Sequence, residues 1–191
     1  MLVLAGKRTK EIRIDAAFPV LHGKNGEDGT VQGLFALAGI PVVGCGILSS
    51  ALCMDKEKAH KLVQAAGIGA PQSFVAQRGI DAETVRIQAE KLNYPLFVKP
   101  VRAGSSYGIS KVMEPGQLEA ALRLAFTYDS RAIIEECIAG FEVGCAVLEG
   151  DSLLIGEVDE IELEQGFFDF TEKYTLKTSS IHVPARISAQ K

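Results

Sequence analysis

Short runs of β-branched and aliphatic residues alternate with amphipathic stretches through most of the chain, and this alternation limits the fold more than any other feature. A strand needs a neighbouring strand for its backbone hydrogen bonds, and an amphipathic helix needs a surface for its apolar side. Alternating elements therefore build layers of helix and sheet, which favours an α/β fold over a helical bundle or a β-sandwich. The pattern predicts short strands at 16–21, 41–45, 73–76, 94–98, 109–112 and 132–135.

Capping residues mark the helices between these strands. Thr30 is placed to cap a helix that Gly39 ends. Asp55 and Asp81 are good N-caps for two further helices, and the second of these runs to Leu92. A fourth helix is predicted at 117–126. The helix after Asp55 is expected to bury Ala59, Leu62, Val63 and Ala66.

From Glu142 onward the periodicity becomes that of consecutive strands. Gly150 and Asp151 predict a hairpin turn between strands at 145–148 and 153–155. Residues 164–182 are polar and aromatic without a clean period, which is typical of a functional lid or Ω loop.

The charge and hydropathy pattern excludes several classes of protein. A net charge of −4 and a pI near 5.5 provide no basic footprint for nucleic acid or anionic lipid. No apolar run approaches the roughly 20 residues that span a bilayer, and the start does not resemble a signal peptide. We therefore expect a cytoplasmic protein with small-molecule or protein partners. The four cysteines have no CxxC spacing and are expected to be buried free thiols.

A loop rich in small residues, 102–108, begins three residues after Lys99 and lies between two predicted strands. Small residues let backbone N–H groups converge on a phosphate, Ser105 and Ser106 add hydroxyl donors, and the nearby ammonium offsets the charge. A plain hairpin beside a solvated lysine is an equally good interpretation, because such a loop is a weak signal alone. The sequence contains neither a GxxxxGK[ST] loop nor a GxGxxG loop.

Two lysines and two glutamates have two interpretations each. Lys56 and Lys99 could converge on the phosphates of a nucleotide, although most lysines are simply solvated. Glu135 and Glu142 flank a short hinge, where carboxylates could accept hydrogen bonds from an adenine amine and ribose hydroxyls. Carboxylates are also common at strand edges, so neither pair identifies a site by itself.

The roles of the three histidines also have more than one interpretation. His22 leaves a predicted apolar strand, where it could steady an anion, orient a substrate or satisfy the core. His60, on a lysine-rich helix, and His182 are expected to be structural or solvated.

The order and spacing of these motifs say more than any one of them. The segments concerned are 18–23, 26–30, 53–56, 97–100, 104–106, 135–142 and 172–174. Together they resemble the D-alanine:D-alanine ligase family of the ATP-grasp superfamily over nearly the whole chain from about residue 15. Within that family they are most similar to the G-type vancomycin-resistance ligases, which make D-alanyl-D-serine.

This resemblance implies an ATP-grasp fold of αβ segments in which two sheet lobes enclose a nucleotide cleft. Lys56, Lys99 and Ser106 would bind ATP on the phosphate or adenine side. Glu135 and the backbone of Ile138 would bind adenine. The other implied contacts are Glu142 on the ribose, Phe167 on the base, Lys173 on the phosphates, Ser105 and Tyr174 closing a lid over the first D-alanine, and His22 and Glu27 near the substrate carboxylate.

The implied reaction is phosphorylation of the D-alanine carboxylate by ATP, followed by attack of a second amino acid's amine on the acyl phosphate. Such a reaction needs charge neutralisation, close positioning and a dry cavity. The lid motif Glu172-Lys173-Tyr174 is that of peptide-forming relatives, so D-lactate is disfavoured as the second substrate. We expect D-serine, with a housekeeping D-alanine:D-alanine ligase as the alternative. The product would serve peptidoglycan synthesis and, with D-serine, glycopeptide resistance.

The resemblance also implies a division of the chain. Residues 1–54 are expected to be a remnant of an N-terminal αβ domain, and residues 55–191 an ATP-grasp domain truncated before its metal-binding strands. The ligands of the expected Mg²⁺ would then lie downstream, with none in this chain. An inactive nucleotide-binding fragment is therefore a second hypothesis, and another ATP-grasp carboxylate–amine ligase is a weaker third. The full-length enzyme is expected to be a homodimer.

Overall fold

The computed structural model describes residues 2–5, 8–163 and 179–188. They belong to two compact units, of which the first comprises the residues up to 104 with 108–136, and the second comprises 105–107 with the residues after 136. The expected domain boundary after residue 54 stays a prediction. The elements of the first unit are β1 (Leu2–Ala5), β2 (Arg8–Glu11), α1 (Thr30–Leu37), α2 (Ile47–Met54), α3 (Lys56–Ala65), β3 (Ser73–Gln77), α4 (Ala82–Leu92), β4 (Leu96–Pro100), β5 (Ser110–Val112), a 3₁₀ turn (Pro115–Gln117), α5 (Leu118–Tyr128) and β6 (Arg131–Glu136).

The central sheet of the first unit has four strands in the order β3–β6–β4–β5, and every pairing is antiparallel. Along β4, Leu96, Val98 and Pro100 are buried, while Phe97 and Lys99 point to the opposite side. The buried side packs against α4 and α5. This core consists of Ala76, Val85, Ala89, Leu96, Val98, Val112, Leu118, Ala121, Ala125, Ala132 and Ile134. The layered helix-and-sheet architecture that the sequence predicts is confirmed.

Two of the predicted N-caps are confirmed. The Asp55 carboxylate accepts a hydrogen bond from the Lys58 amide at 3.1 Å, and α3 begins at the next residue. The Asp81 carboxylate accepts from the Thr84 amide at 2.9 Å at the start of α4. Both caps satisfy amides that have no partner within the helix.

The start of α1 differs from the prediction by one residue. Thr30 is its first helical residue, and Gly29 occupies the N-cap with a φ of 92°. A side chain at position 29 would place its Cβ 2.7 Å from the Ile47 carbonyl oxygen. Glycine is therefore required there both by the left-handed backbone and by the close approach of α2.

The N-terminal third contains most of the errors in the predicted strands. Segments 16–21 and 41–45 are not strands, because the described chain joins them only by a single parallel bridge between Ala17 and Val42. An apolar run becomes a strand only where a neighbour completes its ladder of hydrogen bonds. The hairpin β1–β2 and the helix α2 were not predicted. The N-cap of α2 is Gly46, which makes no side-chain hydrogen bond and so leaves no capping signal.

Burial also departs from expectation at α3 and at the thiols. Leu62 is 52% exposed and Ala66 is exposed, although the periodicity predicted both to be buried. Periodicity identifies residues that share a helix side, but it does not say which side meets the sheet. The cysteines are free thiols as expected, but Cys45, Cys53 and Cys145 are exposed, so the prediction of buried thiols was wrong for them.

The second unit contains a three-stranded antiparallel sheet in the order β7–β8–β9. Residues 150–152 turn the chain between the first two strands, which confirms the predicted hairpin. Within the described residues of both units, no helix is long and apolar enough to cross a membrane. The strands are β7 (Glu142–Glu149), β8 (Leu153–Leu163) and β9 (Ser179–His182).

Candidate functional site

Phe97, Lys99 and Glu135 share one side of the central sheet. Phe97 and Lys99 are two residues apart on β4, so their side chains leave the same face. The antiparallel register places Phe97 opposite Glu135 on β6. This face lies opposite the hydrophobic core, and the helix α3 contributes His60 to it.

Glu135 is a buried carboxylate, 3% exposed, with only one of its oxygens paired. Its Oε1 forms an ion pair with the Lys99 ammonium. Its Oε2 is buried without a hydrogen-bond partner and lies 3.8 Å from Nε2 of His60, whose own Nδ1 is also unpaired. An unsatisfied buried acceptor costs about 1–3 kcal/mol, so a donor that reaches Oε2 would be stabilised there.

Phe97 was not predicted as a site residue. The Lys99 ammonium lies 5.1 Å from the centre of its ring, and the Lys111 ammonium lies 5.9 Å from it. These distances are within the range of cation–π attraction. The i, i+2 relation to Lys99 on a predicted strand is the signal that could have placed the ring in the site.

Lys56 starts α3 and faces the loop that follows β4. Its Nζ donates to the Ala103 carbonyl at 2.8 Å, and its amide donates to the Val101 carbonyl at 3.1 Å. The ammonium is thus held at Ala103, in the part of the loop after β4 that belongs to the first unit.

Arg131 fixes the N-terminus of α3 to the first residue of β6. Its guanidinium donates to the Asp55 carboxylate at 2.6 Å and to the Glu57 carboxylate at 2.7 Å. The hydrogen bond from Lys61 and the positive charges of Lys61, Lys58 and Arg131 hold the pKa of Glu57 below its ordinary value. This cluster positions both Lys56 and His60 relative to the sheet.

Asp129 fixes the loop after β4 from the other end. It accepts from the Arg102 amide and from Nη2 of the Arg102 guanidinium, each at 2.9 Å. Burial by itself raises the pKa of Asp129, but the hydrogen bonds and charge of Arg102 outweigh it and hold the pKa below its usual value. Arg102 and Asp129 also line a cavity of about 440 Å³, together with Asp28 and Thr30.

Two loops meet at Gly104 and Gly23. A Cβ on Gly104 would lie 2.8 Å from the Gly23 Cα, so a side chain at position 104 would displace backbone. The carboxylate of Glu27 accepts from the Gly23 amide, which closes the loop on itself. The predicted substrate residue Glu27 therefore braces the loop that follows His22.

Asp28 completes the same loop. It accepts from the Asn25 amide at 2.8 Å and from the Thr30 amide at 3.0 Å. Burial acts to raise the pKa of Asp28, while these two hydrogen bonds lower it, and the net pKa is below the ordinary value. His22 is exposed at the beginning of this closed loop.

Four further predicted residues belong to the second unit. Ser105 and Ser106 have φ angles of 51° and 58°, in the left-handed region that residues other than glycine rarely adopt. Such backbone turns N–H groups toward one side of a loop, as phosphate-binding loops do. Ile138 is 65% exposed, and Glu142 is an exposed residue at the start of β7.

The remaining predicted residues, Phe167, Lys173 and Tyr174, lie outside the described residues. Residues 2–5, 8–163 and 179–188 contain no group of three or more His, Cys, Asp or Glu side chains that could hold a metal ion. Of the predicted nucleotide-binding residues, the structure brings Lys99 and Glu135 into contact. His60, expected to be structural or solvated, lies with its ring toward Glu135.

Two family models match the chain. The model described as D-ala D-ala ligase C-terminus matches residues 62–191, and the model described as D-ala D-ala ligase N-terminus matches residues 2–45. Among curated proteins, the Vancomycin B-type resistance protein VanB of Enterococcus faecalis is 47% identical over 195 residues, covering 100% of this chain and 56% of that protein. A D-alanine–D-alanine ligase of Acetivibrio thermocellus is 48% identical over 188 residues, covering 95% of this chain and 49% of that protein.

A crystal structure of VanG D-Ala:D-Ser ligase from Enterococcus faecalis superimposes with a TM-score of 0.83 at 62% identity, covering 95% of this chain and 53% of that one. The mixed helix and antiparallel-sheet fold is thus that of ATP-grasp ligases. The chain spans about half the length of the curated relatives it matches.

Proposed function

This chain belongs to the D-alanine–D-alanine ligase family, and on that premise we propose that it acts in an ATP-dependent ligase that joins D-alanine to D-serine. One observation carries the nucleotide part of the proposal. A buried carboxylate, Glu135, pairs with Lys99 beside the ring of Phe97 and keeps one oxygen without a hydrogen-bond partner.

These three side chains suit a nucleotide. An adenine amine is a hydrogen-bond donor, which is what an unsatisfied carboxylate oxygen requires. An aromatic ring offers an apolar face on which a base can stack. The Lys99 and Lys56 ammonium groups supply the positive charge that phosphates need, and Ser106 adds a hydroxyl and a left-handed backbone.

The other predicted roles are part of the same proposal. In the second unit, the backbone of Ile138 would bind the base and Glu142 the ribose. Outside the described residues, Phe167 would pack on the base and Lys173 would reach the phosphates. On the substrate side, Ser105 and Tyr174 would close a lid over the first D-alanine. His22 would help to hold a substrate carboxylate, with Glu27 near the same site.

The chemistry is two successive displacements. A carboxylate oxygen of D-alanine attacks the γ-phosphorus of ATP, which forms D-alanyl phosphate and releases ADP. The amine of the second amino acid then attacks the acyl carbon, expels inorganic phosphate and loses a proton. Because water competes with that amine, this step requires a closed site. In such a site the residues of this chain would bind, orient and exclude water.

Magnesium neutralises phosphate charge in enzymes that transfer phosphoryl groups. The residues that the structure describes include no cluster of carboxylates that fits such an ion. Its ligands were expected downstream of residue 191, and that expectation stays a prediction.

D-serine as the second substrate is supported by the 62% identity to the VanG D-Ala:D-Ser ligase. A D-alanine–D-alanine ligase that is 48% identical supports the alternative, a housekeeping enzyme that uses D-alanine twice. The proposed product would enter peptidoglycan precursors, and a homodimer in the cytoplasm stays the expected form.

Calorimetry of the 191-residue chain with ATP, and phosphate-release kinetics of the full-length ligase that contains it, test the proposal together. We expect ATP to bind, and D-alanine with D-serine to release phosphate faster than D-alanine alone. A preference for D-alanine would refute the D-serine assignment in favour of the housekeeping ligase. Binding without phosphate release would leave a nucleotide-binding fragment without chemistry, and absence of ATP binding would refute the proposal as a whole.

A further inference from the structure

The two residues on either side of Lys56 in the sequence, Asp55 and Glu57, are held by a single guanidinium. Lys56 is the first residue of α3, and Arg131 is the first residue of β6. The Arg131 guanidinium donates to the Asp55 carboxylate at 2.6 Å through Nη2 and to the Glu57 carboxylate at 2.7 Å through Nη1. The start of α3 therefore cannot move along the sheet without breaking one of these two ion pairs.

The main chain of Arg131 holds Lys56 from the other side. The Arg131 carbonyl accepts a hydrogen bond from the Val101 amide at 3.1 Å, and the Val101 carbonyl accepts one from the Lys56 amide at 3.1 Å. Together with the two ion pairs, these contacts form a closed ring of hydrogen bonds that begins and ends at Arg131. All of its members belong to the first unit. The side chain of Arg131 is 23% exposed and that of Asp55 is 12% exposed, so solvent screens this ion pair less than a surface pair.

We propose that Arg131 is a positioning residue that sets the affinity for the phosphates of ATP by holding Lys56 in place. This inference rests on the proposed function, because it uses Lys56 as a phosphate-binding group. Arg131 acts through Lys56 and needs no contact of its own with the nucleotide.

A lysine that binds phosphate benefits from such support. Its side chain is long and flexible, so it loses conformational entropy when a ligand fixes it. The Lys56 ammonium donates to the Ala103 carbonyl at 2.8 Å, so part of this loss precedes ligand binding. That contact requires a constant distance between the start of α3 and the loop after β4, which the ring of hydrogen bonds through Arg131 provides.

Arg131 also balances the charge around Lys56. The carboxylates of Asp55 and Glu57 are negative groups beside the ammonium, and they would compete with phosphate for it. Lys61 also pairs with Glu57, at 2.6 Å, whereas the guanidinium of Arg131 reaches both carboxylates. A guanidinium presents several N–H donors in a rigid fork, and a lysine ammonium does not. The position therefore favours arginine over lysine.

Calorimetry of the 191-residue chain with ATP and Mg²⁺ tests this inference in a double-mutant cycle. Lys56→Met and Arg131→Met each keep an apolar stem and lose the charge, and each should weaken ATP binding by about tenfold or more. Because Arg131 acts through Lys56, Arg131→Met should change the affinity of the Lys56→Met chain by no more than about twofold. In a chain that carries Phe97→Ala instead, Arg131→Met should retain its full effect.

Two further variants separate positioning from the loss of charge or stability. Arg131→Lys keeps the positive charge but cannot bridge both carboxylates, so it should also weaken ATP binding, and it replaces Arg131→Met in the cycle if that variant does not fold. Arg86→Met is the matched control, because Arg86 also pairs with two carboxylates, those of Glu83 and Glu90, but on α4. It should leave ATP affinity unchanged. Thermal unfolding of every variant verifies that it is folded at the temperature of the titration.

Wild-type ATP affinity in either Arg131 variant would overturn the inference. An Arg131 substitution that weakens ATP binding equally with and without Lys56 would do the same, because Arg131 would then act by another route. An equal loss in Arg86→Met would show a general effect of charge or stability and would also overturn it. In each case wild type still binds ATP, so the proposed function survives. Failure of wild type to bind ATP would instead refute the proposed function.

Discussion

Replacing Asp129 by alanine removes the carboxylate that holds the loop between β4 and the predicted phosphate-binding residues. Its side chain is 4% exposed, whereas that of Arg102 is 51% exposed. The Arg102 guanidinium can therefore be hydrated in the variant. The lasting loss is that of the hydrogen bonds that the carboxylate accepts from backbone amides. The Arg102 amide at 2.9 Å and the Arg131 amide at 3.3 Å both lose their acceptor.

Each unsatisfied donor in a partly buried position costs about 1–3 kcal/mol, and the lost ion pair adds little because Arg102 is half exposed. The expected destabilisation is therefore about 2–4 kcal/mol, which lowers the melting temperature by about 5–15 °C for a chain of this size. Thermal unfolding followed by circular dichroism measures it. Glu119→Ala is the matched control, because it removes an equivalent carboxylate from an exposed pair with Arg123 and should cost about 0.5 kcal/mol or less.

The pH dependence gives an independent check. The folded-state pKa of Asp129 lies below its ordinary value, so its contribution is complete above the unfolded pKa of about 3.9 and is lost as pH falls through the lower folded value. The difference between wild type and Asp129→Ala should therefore be constant from pH 8 to 5 and shrink below about pH 4. The carboxylate does not fix the loop if Asp129→Ala lowers the free energy of unfolding no more than Glu119→Ala does. The same follows if the difference from wild type disappears above pH 5.

Three other substitutions have defined outcomes. Gly104→Ala puts a Cβ 2.8 Å from the Gly23 Cα, so thermal unfolding should reveal a loss of about 1–3 kcal/mol, and an unchanged melting temperature would refute that contact. Phe97→Ala should weaken ATP binding in calorimetry by about tenfold or more, since a stacked base contributes about 1–3 kcal/mol, while Phe97→Tyr should retain it. Glu160→Gln removes the negative charge and one of the two oxygens that accept hydrogen bonds from the Arg186 amide and guanidinium. Because these hydrogen bonds lower the pKa of Glu160 to about 2, the destabilisation should persist from pH 8 to 5 and fade only as pH falls from about 4.5 toward 2.

Helix caps and the hairpin turn could be predicted from the sequence because they depend on contacts between neighbouring residues. The N-caps Asp55 and Asp81 were predictable because a carboxylate three residues before an unpaired amide is a property of a few neighbouring residues. The hairpin at 150–152 was predictable for the same reason. The segment 16–21 was not, because its apolar residues form a strand only if another strand lies beside them.

The site was only partly predictable. Lys99 and Glu135 were each ambiguous as single residues, and the ordered motifs of the family were needed to single them out. Phe97 and His60 were missed, because an aromatic residue on a strand is usually part of a core and a histidine among lysines is usually solvated. In the described structure Phe97 faces away from the hydrophobic core. His60 is partly buried with its ring toward Glu135, which agrees with the structural role that was one of its two interpretations.

The sequence by itself determined the alternation of helices and strands, the caps that start two helices, and the motif order that identifies a family of ligases. The tertiary structure decided which residues meet. Pairing of β4 with β6 sets Phe97 opposite Glu135 and lets Lys99 reach the same carboxylate, while the ion pairs of Arg131 bring His60 toward its other oxygen. The reason is that capping and turn formation depend on adjacent residues, whereas strand register and helix docking depend on contacts between distant ones.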